Sequence, residues 1–335
     1  MLKGHGDDMY SYKQEIKINF SSNVYNKQDM SDLEEYLRSK IDLIHSYPEP
    51  DASSLAKLLA PKQEINTNNI MVTNGATEAI YLIAQAFRKK NSMVITPTFS
   101  EYGDACTINE HHITYVASLL DVQKGTDLVW LCNPNNPDGM AYHKDYLYKF
   151  IAEYPDILFI VDQSYEAFVN ADYVMPPHQS ILLPNLICLH SMTKKYAIPG
   201  LRLGYITAHE NLITKVSNYR MPWSVNRLAI EAGKYLLKED KVYFDLDTYL
   251  AETLRLMTEL NTIDGLVTVP TNTHFFLCEL VKKKASDLKQ YLIENHGILI
   301  RDCSNFIGLD EHFFRIATQS PEENDVLIKA LKEWI

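Results

Sequence analysis

Between residues 69 and 209 short apolar runs recur, each followed by a turn and then by an amphipathic helix or a long connection. The runs are NIMV, SMVIT, ITYVA, LVWLC, ILFIV, LICLH and GYITA. Apolar residues at consecutive rather than alternate positions describe strands covered on both faces, and such strands separated by helices build a mainly parallel sheet. The pattern predicts a large seven-stranded α/β unit. Upstream, Ser31 and Glu34 stand at capping-box spacing ahead of EEYLRSKIDLI, so a helix is expected to begin there and to stop before Tyr47-Pro48. Downstream the pattern changes. Helical periodicities over 224–238 and 243–260 precede the strand candidates FFLCEL, ILIR and FFRIAT, and a last helix follows Pro321. This order reads as a smaller α+β unit. The expected division is an arm over 1–30 packing with the small domain, a large domain over 31–215, and a small C-terminal domain over 216–335.

Composition narrows the possible partners. A chain of 335 residues, 46% of them hydrophobic, can bury a large core. Its formal charge of -11, with no run of Lys and Arg, argues against nucleic acid or an anionic membrane surface as partner. The start, MLKGHGDDMYSYKQEIK, is too polar for a signal peptide, and the apolar runs are far too short to span a bilayer, so the cytoplasm is the expected location. Cys106, Cys132, Cys188, Cys278 and Cys303 are scattered, without any CxxC pair, and read as reduced, buried thiols.

No GxGxxG follows a strand and no GxxxxGK[ST] is present, so neither a dinucleotide nor a P-loop site is supported. Ligands of α/β sheets sit beyond the carboxyl ends of strands, and Asn74, Asn133, Asp162 and Ser191 fall at such ends. NIMVTNGATEAIYLIAQAF is a strand, a tight turn at Gly75 and a helix whose first turn offers free N–H groups to an anion; a capped helix without a ligand has the same pattern. CNPNNPDG stiffens a turn that projects amides from the sheet edge, or is simply an ordered turn. Asp162 ends an apolar strand, where burial requires a cation or several donors; an Asp capping the next turn is the bland alternative. In SMTKKYAIPGLRLGY, Ser191 and Thr193 flank the end of a buried strand and Arg202 follows Lys194 by eight residues. Lys194 is expected to point into a site with its pKa lowered by burial and cationic neighbours, and Lys195 toward solvent. Arg301 ends ILIR and Arg315 lies inside FFRIAT, where an unpaired guanidinium is expensive; anion receptors and structural ion pairs both fit.

Taken in order along nearly the whole chain, these motifs resemble the fold type I enzymes dependent on pyridoxal phosphate (PLP), of the aminotransferase class I/II superfamily. The resemblance implies that Lys194 forms the Schiff base with PLP. It places Gly75, Ala76, Thr77, Ser191, Thr193 and Arg202 at the cofactor phosphate. Tyr102, in PTFSEYG, stacks on the pyridine ring; Asn136 and Tyr165 bond its phenolic oxygen; Asp162 pairs with the protonated ring nitrogen; Arg315 receives the substrate carboxylate. KGHGDD, INFSSNV, HSYPEPDASSL, MPWSVNRLA and ILIRDCSNFIGLDEHFFRIA are most similar to segments of the L-threonine-O-3-phosphate decarboxylases, followed by the histidinol-phosphate aminotransferases. In both families the arginine matching Arg301 holds the substrate's own phosphate. His5 and Asn23 match residues of the segment that closes over the substrate, and Tyr47 one that reaches the cofactor phosphate of the other subunit, which implies a homodimer. The sequence departs from the pattern at NPDG, at DQSY, at Lys195, and at His190, where the decarboxylases have arginine. A PLP-binding protein without catalysis would have lost the lysine or the acid, and both are present.

Overall fold

The computed structural model describes residues 7–25, 27–239 and 244–335. An arm carrying β1 (Ile18–Asn19) leads through α1 (Ser31–Ser39) and α2 (Ser53–Lys62) into the larger sheet. Along the chain this sheet is built from β2 (Ile70–Thr73), α3 (Gly75–Ala86), β3 (Asn91–Ile95), α4 (Glu101–Ile108), β4 (His112–Val116), β5 (Leu128–Cys132), α5 (Lys144–Glu153), β6 (Leu158–Asp162), α6 (Pro177–Ser180), β7 (Leu186–Ser191), α7 (Met192–Lys195) and β8 (Gly204–Ala208). Then follow α8 (Glu210–Ser217), α9 (Arg227–Glu239), α10 (Leu246–Leu260), β9 (Leu266–Thr268), β10 (Phe275–Leu280), α11 (Ala285–His296), β11 (Ile298–Leu299), β12 (Arg301–Asp302), β13 (Phe313–Ala317) and α12 (Pro321–Trp334).

All seven expected runs are strands of one sheet, in the order β2-β8-β7-β6-β5-β3-β4. β8 runs antiparallel to both its neighbours and the other pairs are parallel. Successive residues of a strand point to opposite faces. Trp130, Ile160 and Leu189 accordingly pack under Ile80 and Ile83 of α3, while Val129, Phe159, Val161 and Cys188 meet Leu147 and Ile151 of α5. β4 departs from the fully buried pattern because it is the sheet edge, and none of its residues is fully buried.

The second sheet is antiparallel, β12-β13-β10-β9, and its core is shared with Leu256 and Leu260 of α10, Leu288 and Leu292 of α11, and Leu327 and Leu331 of α12. ILIR, expected as one strand, is divided at Ile300: Ile298 pairs with Ile18 of the arm, and Arg301 pairs across β12 and β13 with Arg315. Phe20 follows β1 into the same core. Helix α9 packs Ala229, Ile230 and Leu236 against Leu55 and Leu59 of α2 and against Val72 and Leu203. The capping box at Ser31 does not form. Met30 is the cap, and the Ser31 N–H donates to Asp29 Oδ1 at 3.0 Å, because Ser31 is itself the first helical residue. Ser320 and Glu323 do form both bonds of a capping box at α12. All five cysteines are free and buried. Among the described residues no helix is long and apolar enough to cross a membrane.

Candidate active site

A cavity of about 560 Å³ opens beyond the carboxyl ends of the parallel strands. Ala76, Thr77, Tyr102, Asn136, Asp162, Tyr165, Ser191, Thr193, Lys194 and Arg202 line it from the larger sheet, and Asn23, Arg301 and Arg315 from the arm and the second sheet.

Its floor is Asp162, the last residue of β6, which is 4% exposed. Tyr102 donates its hydroxyl to Asp162 Oδ2 at 2.8 Å and the Ser164 N–H donates to Oδ1 at 2.9 Å, so the several donors that burial demands are present. Burial pushes the carboxyl pKa up, while Ser164, Tyr102 and the charge of His190 oppose the shift. A cationic ring nitrogen placed here would meet a buried anion. The Tyr102 ring, itself buried, lies nearly parallel to Trp130, with centroids 5.8 Å apart.

At one end α3 begins directly after the β2 turn. Gly75 has φ +78°, and a Cβ built on it would stand 2.7 Å from Arg202 Nη2, so the absence of a side chain is what lets the guanidinium settle over the helix start. The first-turn N–H groups of Ala76 and Thr77, the paired hydroxyls of Ser191 and Thr193 (2.7 Å apart) and Arg202 form a cradle for a phosphate.

Lys194 follows in α7, its Nζ 5.8 Å from the centre of the Tyr165 ring. Burial, then the Arg315 and Arg202 guanidiniums, lower its pKa to about 8, against an opposing pull from Asp7 and Asp162. At neutral pH that raises the fraction of free amine by roughly two orders of magnitude over an ordinary lysine, as a nucleophile that must attack an aldehyde requires. Lys195 is exposed and lies 5.2 Å from the Tyr196 ring, on the solvent side as expected. The Tyr165 hydroxyl accepts from Asn23 Nδ2 at 3.1 Å, and burial pushes its pKa up to about 12.

Arg315 Nη1 donates to Asn136 Oδ1, and Nη2 donates to the Ser21 carbonyl at 2.5 Å. Its buried Nε has no hydrogen-bond partner among the described residues. Arg301 donates from Nη2 to Asn305 Oδ1 at 2.8 Å and lies 5.1 Å from the Phe306 ring. Arg301 and Arg315 are cross-strand partners and both are buried. Side chains directly opposite on a sheet share a face, and like charges there are destabilising. An arrangement that opposes two buried cations makes sense when anions come to both.

Not every expected residue joins the cavity. Tyr47 is 80% exposed and packs its ring at a tilt against Trp223, with centroids 5.2 Å apart, and it does not line the cavity. His5 lies outside the described residues. Of the CNPNNPDG asparagines only Asn136 reaches the site. Asn133 bonds to Tyr142 and Tyr173, and Asn135 to Thr98, Pro97 and Asp138, which is turn architecture. His190 is buried on the far side of the strand from Ser191; its ring bonds Glu166 and Thr207, each at 2.9 Å, and stacks on Tyr205. The structure adds Asp7, Ser21 and Asn305, which lie in the segments KGHGDD, INFSSNV and ILIRDCSNFIGLDEHFFRIA but were not singled out within them.

The donor set, an anion cradle at one end, a buried carboxylate beneath and a lysine between them, fits a phosphorylated pyridine aldehyde. Comparison with known proteins agrees. The crystal structure of L-threonine-O-3-phosphate decarboxylase from Porphyromonas gingivalis superposes with a TM-score of 0.92 at 40% identity, covering 95% of this chain and 99% of that one. Threonine-phosphate decarboxylase of Salmonella typhimurium is 30% identical, over 94% of this chain and 90% of the relative. Histidinol-phosphate aminotransferase of a Thermoanaerobacter species is 31% identical, over 97% and 93%. The pattern of the family described as aminotransferase class I and II matches residues 15–331. The chain is therefore a PLP-dependent enzyme of fold type I, and it belongs to the aminotransferase class I and II family.

Proposed function

We propose that this enzyme decarboxylates L-threonine O-3-phosphate to aminopropanol phosphate. The observation that carries the reading is the cross-strand pair Arg301 and Arg315, two buried cations on one wall of the cavity that holds Lys194. A substrate with one phosphate and one carboxylate matches them in number and sign, and the similarity to threonine-phosphate decarboxylases supports that choice. The second reading, aminotransfer to or from histidinol phosphate or another amino acid, rests on a relative 31% identical and uses the same lysine.

In this reading Asp162 faces the cofactor's ring nitrogen, Asn136 and Tyr165 its phenolic oxygen, and Gly75, Ala76, Thr77, Ser191, Thr193 and Arg202 its phosphate, with Tyr102 against the ring. When bound, the cofactor supplies an electron sink conjugated to the substrate's Cα. Arg315 would fix the carboxylate and Arg301 the phosphate; gripping both ends orients the substrate's Cα and so selects which of its bonds is cleaved. Lys194, once released, carries the proton at Nζ. Asn23 donates to the Tyr165 hydroxyl and lines the cavity from the arm, beside the substrate.

The reading includes a cytoplasmic homodimer. Ile44, Tyr47, Met221 and Trp223 are exposed apolar residues, and Tyr47 packs on Trp223; a second copy would cover them and let Tyr47 reach its partner's cofactor phosphate. It also includes an arm (1–30), a PLP-binding domain and a small domain; the expected boundary at 215/216 is moved C-terminal to α9, because α9 packs on α2 of the larger unit. The test is to incubate the holoenzyme with O-phosphothreonine and, separately, with histidinol phosphate plus 2-oxoglutarate. Carbon dioxide from the first is the expected result; glutamate from the second, without carbon dioxide from the first, overturns it.

A further inference from the structure

Asp7 is one of three carboxylates lining the cavity, with Asp104 and Asp162; Asp162 is taken up by Tyr102 and Ser164 on the floor, whereas Asp7 enters from the arm, where several contacts hold it. Its N–H donates to Ser21 Oγ at 3.1 Å, and Asn19 Nδ2 donates to its Oδ1 at 2.6 Å. The next residue anchors the segment: Asp8 forms an ion pair with Lys289 of α11, at 3.1 and 2.9 Å to its two oxygens, and accepts from the Tyr12 hydroxyl at 3.0 Å. Lys289 is only 9% exposed, which makes this a sheltered clasp rather than a loose surface pair. Asp7 itself sits at φ +59°, a conformation that L residues other than Asn and Asp rarely adopt. The arm thus delivers one specific side chain to the cavity wall, beside Ser21, Ser22 and Asn23.

Electrostatics make its presence informative. The substrate class proposed above brings a phosphate and a carboxylate, and a third negative group in the same cavity repels both. A fixed carboxylate beside such a ligand is stabilised where it meets the ligand's one cationic part. Asp7 is also among the groups whose charge reaches Lys194, the position the incoming amine must approach. We propose that Asp7 is a specificity-determining residue that binds the substrate's α-ammonium group as it approaches Lys194, while Arg301 and Arg315 take the two anionic ends. This rests on the proposed function for the anionic ends, and it extends that reading to the cation.

The experiment compares an amine-bearing ligand with its amine-free counterpart in Asp7→Asn, which keeps an oxygen for Asn19 but removes the charge. The probes are O-phospho-L-threonine, read as kcat/KM, and 3-(phosphonooxy)butanoate, the same skeleton without the amine, read as a calorimetric Kd on the holoenzyme. The expected result is a fall of about tenfold in kcat/KM, the effect of one lost charge-assisted hydrogen bond at a partly exposed site, with the Kd of the amine-free ligand unchanged within twofold or tightened. A purely structural role would weaken both ligands together, and no effect on either would be equally fatal. Asp8→Asn, which loosens the clasp but leaves Asp7 charged, is expected to weaken both ligands. The cofactor absorbance band of each variant reports that the fold is intact. If wild-type enzyme fails to turn over O-phosphothreonine, the functional reading falls and the comparison passes to histidinol phosphate and its amine-free analogue; an Asp7→Asn enzyme of unchanged kcat/KM overturns the present inference alone.

Discussion

Replacing Gly75 by alanine separates the backbone role of this position from its role in making room for Arg202. Alanine at φ +78° costs roughly 1–2 kcal/mol, since its Cβ crowds the following carbonyl. The added carbon would also stand 2.7 Å from Arg202 Nη2 and 3.2 Å from Cζ, and a guanidinium can swing away where a backbone cannot. Stability of the apoprotein should therefore fall by no more than about 2 kcal/mol, measured by urea unfolding. The larger consequence is for the cofactor. A displaced Arg202 forfeits a charge-assisted bond to phosphate, about 1.5–3 kcal/mol, so the PLP dissociation constant should rise between roughly ten- and a hundredfold, read by fluorescence titration of apoprotein. The double variant Gly75→Ala with Arg202→Ala should show the same unfolding penalty but little loss of PLP affinity beyond that of Arg202→Ala alone. Two results would refute the reasoning: PLP affinity unaffected in Gly75→Ala, or an equal loss from that change with and without Arg202.

Lys194 and Gly139 give two further expectations. The Lys194 pKa is lowered to about 8 in the folded chain, so the unfolded chain binds more protons between about pH 8 and 10.5, and apoprotein stability attributable to this group rises with pH across that window. Below it the penalty is fully present. Lys194→Met apoprotein should accordingly be more stable than wild type at pH 7, by about 1–3 kcal/mol, with the advantage shrinking toward pH 10; urea melts at both pH values that show a constant difference would contradict the shift. Gly139 has φ +73°, and a Cβ there would lie 2.6 Å from the Phe275 carbonyl and 2.0 Å from Thr271 Oγ1. Backbone cannot swing aside, so Gly139→Ala should cost about 2–4 kcal/mol, and a loss below 1 kcal/mol would show that the loop relaxes freely.

The larger sheet was legible because its inner strands are buried on both faces, and continuous apolar runs carry that information locally. The break at Ile300 was not. Whether ILIR forms one strand or two depends on the arm arriving to pair with Ile298, and that partner lies far away in sequence. Lys194, Asp162 and Arg202 could be read from their own surroundings, since each follows a strand or turn whose end fixes its position. CNPNNPDG defeated local reading: its three asparagines look alike, and only their partners show that Asn133 and Asn135 build the turn while Asn136 faces the site. Trp130 reads as core and is core, yet its indole underlies Tyr102, a contact between β5 and α4 that no periodicity reports.

Arg315 explains why the two sheets work as one site. It stands on β13, yet its guanidinium is held by a backbone carbonyl of the arm, at Ser21, and by Asn136 from the turn after β5. That turn is itself anchored to the segment before β10: the Asn272 N–H donates to the Gly139 carbonyl at 3.0 Å, and the Ala141 N–H donates to Asn272 Oδ1 at 3.0 Å. The arm is clasped to α11 through Asp8 and Lys289. Each of the three segments contributes a group to the cavity, and each is positioned by a contact with another, so the geometry around Lys194 is a property of the set. Energies in such a network are not additive. A lysine at 315 preserves the charge but cannot satisfy two acceptors in a planar fork while presenting a further donor to a carboxylate. It leaves Asn136 or the Ser21 carbonyl unpaired, and the disturbance reaches the turn after β5 and the arm as well as the cavity wall between them.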